Sequence, residues 1–491
     1  MTRSYDIDAT IVGAGPNGLA AAVTLARAGL SVRVYERASS AGGGAATREL
    51  TLPGFRHDVC SAVHPLAFES RFFREFGLDR RVPFAVPEIS FAHPLDGGRA
   101  GVSHRSLTRT AEGLGTDGAA YARLMRPLVE RTTRVSDFTG DTLLRVPRDI
   151  PTAALFGLAT LEQGSPLWNL RFREDVAPAM LTGVAAHTIL PMPGLAGSGA
   201  GLALTAYAHA KGWPIPIGGS QAIIDAMVAD LIAHGGELVT DHEVTSLDEL
   251  PPSRVTLLDV TPRALSRIAG DRMPDGYRRA LARFRYGNAV AKVDFALSEP
   301  VPWTNPELHR AGTLHLGGTR EEIAAAENAV SHGSLPDAPY VLVSQPSLFD
   351  QTRAPAGQHT LWAYTHVPAA SREDRSEAII GQIERFAPGF RDTILSTSSR
   401  TAVEVERHNP NYVRGDISSG SPGLVQLLRR PVLSPDPWRT PMPGVYLCGA
   451  STTPGPGVHG LPGWHAALSA LRHEFGTRAL PDLSPASDDP A

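Results

Sequence analysis

Six consecutive residues near the start of the chain, Gly13, Ala14, Gly15, Pro16, Asn17 and Gly18, have the types and spacing that hold a dinucleotide. Gly13 permits a tight turn. Gly15 lets a pyrophosphate approach the backbone, and Gly18 lets the following helix pack close to a sheet. The start of that helix offers free N–H groups and a partial positive charge to phosphates. Glu36 follows Gly18 by eighteen residues, where a carboxylate can accept ribose hydroxyls.

A second small-residue cluster lies about 400 residues later. The apolar run 443–448 ends at Gly449 and Ala450 and leads through Gly455, Gly457, Val458, His459 and Gly460 into a helix expected over 464–472. A turn of small residues feeding a helix again presents N–H groups to an anion or a polar ring edge. His459 in that turn and His64 in the loop after the first segment are the candidates for positioning substrate or moving a proton, and His465 is a weaker third. No HExxH or comparable spacing is present, so no metal is expected. Cys60 and Cys448 are far apart in sequence and form no disulfide framework or zinc motif; Cys448 reads as a small buried hydrophobe. Gly218-Gly219-Ser220-Gln221-Ala222 lacks the last glycine of a hydrolase nucleophile elbow.

Between the two clusters, Arg37 is followed after four residues by Gly42-Gly43 and then Gly44-Ala45-Ala46-Thr47. This resembles the R-x4-GG-x3-[ST] extension of FAD-dependent amine oxidases and phytoene desaturases, and 52–58 continues the pattern. His408-Asn409-Pro410-Asn411-Tyr412, Gly415-Asp416 and the segment 212–220 are also similar to the phytoene dehydrogenase-related family, in its pyridine nucleotide-disulfide oxidoreductase domain 2 branch. The resemblance spans about 6 to 475. It implies FAD, held non-covalently, with Arg37, Gly43, Gly44 and Ala45 beside it. By the same resemblance Gly449 and Ala450 face the pyrophosphate and ribityl, Gly457 and Val458 face the flavin N1/O2 edge, and the Val244 backbone meets the adenine.

These residues need elements to position them. Strands are expected at 7–12, 31–35, 237–240 and 255–260, and helices at 19–28 and at 221–234, the latter with Ser220 as N-cap. The expected fold is α/β: a Rossmann-type, glutathione reductase-like FAD-binding domain with a discontinuous substrate domain of mixed sheet plus helices. The FAD-binding domain takes 1–70, 213–265 and 435–475, and the substrate lobe takes 75–210 and 270–430. The first lobe segment reads as largely helical. The second reads as strands at 289–296, 340–344, 359–365 and 401–406. The tail 480–491, rich in Pro, Ser and Asp, is expected to be disordered.

Composition sets the outer bounds. The chain has 491 residues, 42% hydrophobic and 20% charged, enough for a sizeable core and more than one unit. Net charge is −4, which argues against a nucleic-acid partner. All but two of the 46 basic residues are arginine, the exceptions being Lys211 and Lys292, which we read as coding bias. No signal peptide is visible, and the apolar region 177–204 is interrupted by His187, Pro191 and Pro193, so no membrane span is expected. The expectation is a cytoplasmic protein, with peripheral membrane contact and oligomeric state left open. The 48 glycines and 41 prolines mark loops or close backbone approach to a ligand. Thirteen of the glycines fall in the two windows 13–44 and 444–463, the two ends of the expected FAD site.

The leading expectation is an FAD-dependent oxidoreductase that dehydrogenates or desaturates a hydrophobic or conjugated small molecule, in secondary metabolism, by hydride transfer to flavin N5. No second GxGxxG is visible, so oxygen or a quinone is the expected electron acceptor. The alternatives are a redox-neutral flavin-dependent isomerase of a polyene-like substrate and a flavin-binding interaction protein with little turnover.

Overall fold

The computed structural model describes residues 7–485. The α/β fold class expected from the sequence is what is found. The apolar residues Ile7, Ala9, Ile11 and Val12 form the strand Ile7–Val12 at the centre of a five-stranded parallel sheet. Its neighbours are Ser253–Leu258 on one side and Val32–Tyr35 on the other, with Val445–Leu447 and Glu237–Val239 at the edges. All four pairings are parallel, so both faces need cover, and the strands read as nearly continuous apolar runs. Three separated stretches of chain supply this sheet.

The helix Pro16–Arg27 begins with Pro at N1, where the missing N–H costs nothing. The C-terminal helix is longer than expected, Leu461–Glu474, and starts after Gly460. It lies against Pro16–Arg27 so closely that a Cβ on Gly463 would collide with the Asn17 carbonyl. The two glycine-rich ends of the chain are therefore joined helix to helix.

A seven-stranded sheet forms the second layer. Its order is Ile394–Arg400, Ala289–Leu297, His359–Val367, Val341–Ser344, Ala311–Leu316, Ile89–Pro94 and Ala100–His104. Every pairing is antiparallel except that between Ala311–Leu316 and Ile89–Pro94. The helices Ile150–Gln163, Val176–Ala185 and Leu195–Ala210 cover part of this layer, with a core that includes Phe91, Met180, Leu202 and Trp213.

Several local expectations need correction. The stretch 75–210 is not only helical, because Ile89–Pro94 and Ala100–His104 join the large sheet. Residues 401–406 are not a strand: Thr401 and Glu404 form a capping box that starts the helix Ala402–His408, while the strand is Ile394–Arg400. Ser220 does not cap its helix with its side chain; its hydroxyl is engaged elsewhere. Of the tail 480–491, residues 486–491 lie outside the described residues, and Leu483 is buried in the core rather than free. Among the described residues no helix is long and apolar enough to cross a membrane.

Candidate functional site

One cavity of about 1160 Å³ runs between the two layers. Its walls bring together Gly13, Gly15, Pro16, Asn17, Glu36, Arg37, Gly43, Gly44, Val244, Ala450, Gly457 and Val458, with His64 and His459. Ala14, Gly18, Ala45 and Gly449 stand behind that wall instead of on it. Gly18 is pressed under Gly13, whose carbonyl a Cβ on Gly18 would strike, and Gly13 itself needs a positive φ of 100°. The Ala14 N–H donates to the Glu36 carboxylate at 2.8 Å, and the Ala38 N–H donates to its other oxygen at 2.8 Å. Glu36 is thereby held at the end of its strand.

These residues fit a dinucleotide. The start of Pro16–Arg27 opens on the cavity, and the buried Asn17 Oδ1 has no hydrogen-bond partner among the described residues. Gly15 keeps the backbone accessible there. The His408–Tyr412 motif explains itself here. Arg37 donates to the His408 carbonyl at 3.2 Å, Asn411 donates to the Asp259 carbonyl at 3.0 Å and accepts from the Thr261 N–H at 3.2 Å, and the Tyr412 ring packs against Gly44.

Two residues at the centre of this arrangement were missed from sequence. Asp259 follows the strand Ser253–Leu258, accepts the Gly18 N–H at 3.0 Å, and fills the space beside Gly15 and Gly449 where a side chain would otherwise go. Burial raises its carboxyl to about 7, against the pull of the Gly18 N–H. Arg430 is buried below the C-terminal turn. Its guanidinium donates to the Ala450 carbonyl at 3.0 and 2.9 Å, to Ser418 at 2.7 Å and to Gly420 at 3.0 Å. Burial lowers its pKa to about 10, which leaves it cationic at neutral pH. Neither residue sits in a motif, so only the fold reveals them.

The two candidate histidines differ. His459 Nε2 donates to the Pro456 carbonyl at 3.2 Å, and its Nδ1 accepts the Leu461 N–H at 3.2 Å. Both nitrogens are used inside their own turn, so His459 locks the turn and is not free to move a proton. The Ser220 hydroxyl donates to the Ser61 carbonyl at 2.5 Å, so it accepts from His64 Nε2 at 2.8 Å. That leaves His64 Nδ1 as a buried acceptor with no partner among the described residues. Burial lowers both imidazoles to about 4, so each is neutral at pH 7. His465 bonds to the Gly140 carbonyl and stacks on Trp438, away from this cavity.

Beyond the glycine turns the cavity becomes apolar. Phe156, Leu161, Leu204, Tyr207, Trp213 and Trp362 line it, and Gly199 and Ala203 of Leu195–Ala210 leave it room. Polar side chains also reach this cavity, among them Thr160, Ser344 and His187. His187 contacts His315 through their Nε2 atoms at 2.8 Å, and its ring meets Trp213 edge-on with centroids 5.7 Å apart. Burial lowers the His187 imidazole to about 3, so the pair is neutral, one ring donating and the other accepting. Behind Trp362 lies the buried Lys292–Asp294 ion pair, the Lys292 ammonium 5.6 Å from the indole. Among the described residues no cluster could hold a metal ion.

The sequence profile described as flavin containing amine oxidoreductase matches residues 17–461. The chain is 25% identical to the pyridine nucleotide-disulfide oxidoreductase domain-containing protein 2 of Rattus norvegicus, over 95% of this chain and 94% of that protein. It is 30% identical to the hydroxysqualene dehydroxylase of Rhodopseudomonas palustris, over 56% of this chain and 67% of that protein. The solved oxidoreductase of Methanosarcina mazei shares the fold at a TM-score of 0.59 and 17% identity, over 95% of this chain and all of that one. With a cradle built from both ends of the chain and a match of this extent, the chain belongs to the flavin containing amine oxidoreductase family and is an FAD-binding oxidoreductase.

Proposed function

We propose that the protein dehydrogenates or desaturates a hydrophobic or conjugated small molecule, with hydride passing to flavin N5 and oxygen or a quinone as the final electron acceptor. The observation that carries this reading is the continuity of the cavity from the glycine cradle into the chamber between Phe156, Tyr207, Trp213 and Trp362. Such walls exclude water and hold an apolar body by area alone, without hydrogen bonds that fix one substrate. Similarity to a protein named for dehydroxylating hydroxysqualene supports the same direction.

Bound FAD supplies a two-electron acceptor. The chain's own residues do the rest. Asn17, Glu36, Arg37 and the 449–458 turn bind and orient the cofactor. The aromatic walls position the substrate carbon and keep water out. His64, which lines the cavity and whose buried Nδ1 has no partner among the described residues, takes the proton that must leave when a C–C or C–N bond is oxidised. His187 offers a hydrogen-bonding ring to the largely apolar chamber, so an apolar substrate that also carries a polar group fits best. The test is anaerobic mixing of the yellow holoprotein with conjugated and isoprenoid-type alcohols, aldehydes and hydrocarbons. Bleaching of the flavin by one of them supports the reading. A yellow protein that none of them bleaches, but that a polar amine does, refutes it.

A further inference from the structure

His187 stands in the single turn Ala186–Thr188 that follows the helix Val176–Ala185, and His315 lies on the strand Ala311–Leu316. Of the two, only His187 lines the cavity; His315 is fully buried against Phe91, Trp213 and Tyr340. Their Nε2 atoms meet at 2.8 Å, so one ring gives a hydrogen there and the other a lone pair. A neutral imidazole carries one N–H, so a hydrogen on Nε2 leaves Nδ1 bare, and the reverse. Which ring donates therefore decides what His187 shows the chamber.

The far nitrogen of His315 settles the direction. Its Nδ1 is buried and has no hydrogen-bond partner among the described residues. A hydrogen there would be an orphaned buried N–H, a rare and costly state, whereas a bare ring nitrogen leaves only an acceptor unmatched. The neighbouring His93 is already in that second condition. Its Nε2 donates to the Gly318 carbonyl at 2.7 Å, so its Nδ1 is a lone pair, buried and also without a partner among the described residues. The helix Val176–Ala185 closes on both rings: a Cβ on Gly183 would come within 2.8 Å of His315 Cβ and of His93 Nδ1. His315 thus keeps its hydrogen on Nε2 and donates it to His187. His187 Nε2 accepts, its own hydrogen is on Nδ1, and Nδ1 is the nitrogen left for a ligand. His64 has the opposite sign, with Nε2 donating to Ser220 and Nδ1 bare. The Thr160 hydroxyl on the cavity wall can turn to donate or accept, so it sets no such preference.

We propose that His187 presents a fixed N–H donor to the chamber, and that the ligand it takes is an apolar molecule carrying a carbonyl oxygen, a ketone or an aldehyde. A carbonyl accepts that hydrogen and brings none of its own. An ammonium, which only donates, would set N–H against N–H. This specificity rests on the apolar-substrate reading above and narrows it to one functional group.

The experiment titrates the full-length holoprotein with bicyclic probes of nearly equal size: indene, which has no polar atom, 1-indanone, which only accepts, and indole, which only donates. Calorimetry gives the affinities for wild type and for His187→Leu. His187→Leu should weaken 1-indanone by about tenfold, leave indene no weaker, and bind indole at least as tightly as wild type does. Infrared difference spectra add a readout that needs no variant. The carbonyl stretch of 1-indanone bound to wild type should lie below its position in a hydrocarbon solvent, and return toward that position in His187→Leu. A wild-type stretch at the hydrocarbon position overturns the proposal. So does a lowered stretch that persists in His187→Leu, or a His187→Leu variant that loses affinity for indole and not for 1-indanone. Indene separates the two readings: if it binds while 1-indanone gives one of these contrary results, the donor is wrong and the apolar chamber stands. If none of the probes binds, the apolar-substrate reading fails and the proposal with it.

Discussion

The Gly18 N–H donates to the Asp259 carboxylate at 3.0 Å across 241 residues of sequence. That bond ties the first turn of the cofactor helix to the end of the neighbouring strand. Asp259 also lies against Gly15 and Gly449, so one carboxyl touches both glycine clusters of the cradle. The cradle is a joint product of the two ends of the chain and one internal segment.

Asp259 makes cofactor binding depend on pH. Its folded pKa is raised to about 7 by burial, whereas an unfolded carboxyl titrates near ~4. Between those values the folded chain holds a proton that the unfolded chain has lost. Its stabilising share is complete below the lower value and is lost as pH rises through about 7. The charged form also places an anion beside the pyrophosphate turn. FAD affinity should therefore fall as pH rises through about 7. Asp259→Asn keeps an acceptor for Gly18 and should flatten that profile. Cofactor fluorescence titrations across that range check it.

Gly18→Ala drives a methyl into the Gly13 carbonyl, where backbone has to shift. We expect a loss of about 1–3 kcal/mol in unfolding free energy, together with weakened FAD retention. Gly29→Ala is a useful contrast, since a Cβ there meets nothing within 4 Å and the strain is only that of its φ of +81°. Chemical denaturation of both variants separates collision from backbone strain.

Much of this was legible in sequence, for a physical reason. The turn 13–18, the helix after it and Glu36 form a unit whose contacts are local, and the residue types that make it are the residue types that bind. Asp259 was not legible because its partner Gly18 comes from a distant chain segment, and Arg430 because its acceptors are backbone carbonyls, which no side-chain motif marks. The strand Ile89–Pro94 was hidden in an alanine- and leucine-rich stretch, and its pairing with Ala311–Leu316 spans more than 200 residues. The alternation Val403-Glu404-Val405-Glu406 imitates a strand, yet the Thr401–Glu404 capping box decides for helix. The expectation of a hydrophobic substrate came with the family resemblance, whereas the cavity shape required the packing of separated helices on a sheet.

Arg430 acts through geometry as well as charge. Its fork reaches Ala450, Ser418 and Gly420 together, which a lysine cannot do. Arg430→Lys should keep the positive charge but lower FAD occupancy, and Arg430→Ala should give colourless, less stable protein. The absorbance ratio of flavin to protein after gel filtration reports both.

The two histidines should separate by readout. His64→Ala removes a free acceptor and should lower kcat by about 10²-fold or more while FAD stays bound. His459→Ala releases the 456–461 turn; FAD occupancy and melting temperature should fall, with kcat per bound flavin little changed. Equal loss of kcat per flavin in both variants would contradict these assignments.

Gly199 faces the chamber, and a Cβ placed there makes only ordinary contacts with Thr160 and Phe156, at 3.5 and 3.8 Å. Gly199→Leu should fold, keep its flavin and fill the chamber. KM for a long apolar substrate should rise about tenfold or more, with a smaller effect for short ones. Steady-state kinetics over a chain-length series tests this.

The most direct test is anaerobic reduction of the purified holoprotein, followed by flavin absorbance as an apolar, conjugated or isoprenoid-type substrate is added. The account predicts bleaching at one substrate per flavin, a higher substrate concentration for that bleaching in Gly199→Leu when the substrate is long, and recovery of colour when oxygen or a quinone is admitted. A chain that binds no FAD, or a flavin bleached only by polar amines and equally well in Gly199→Leu, would contradict it.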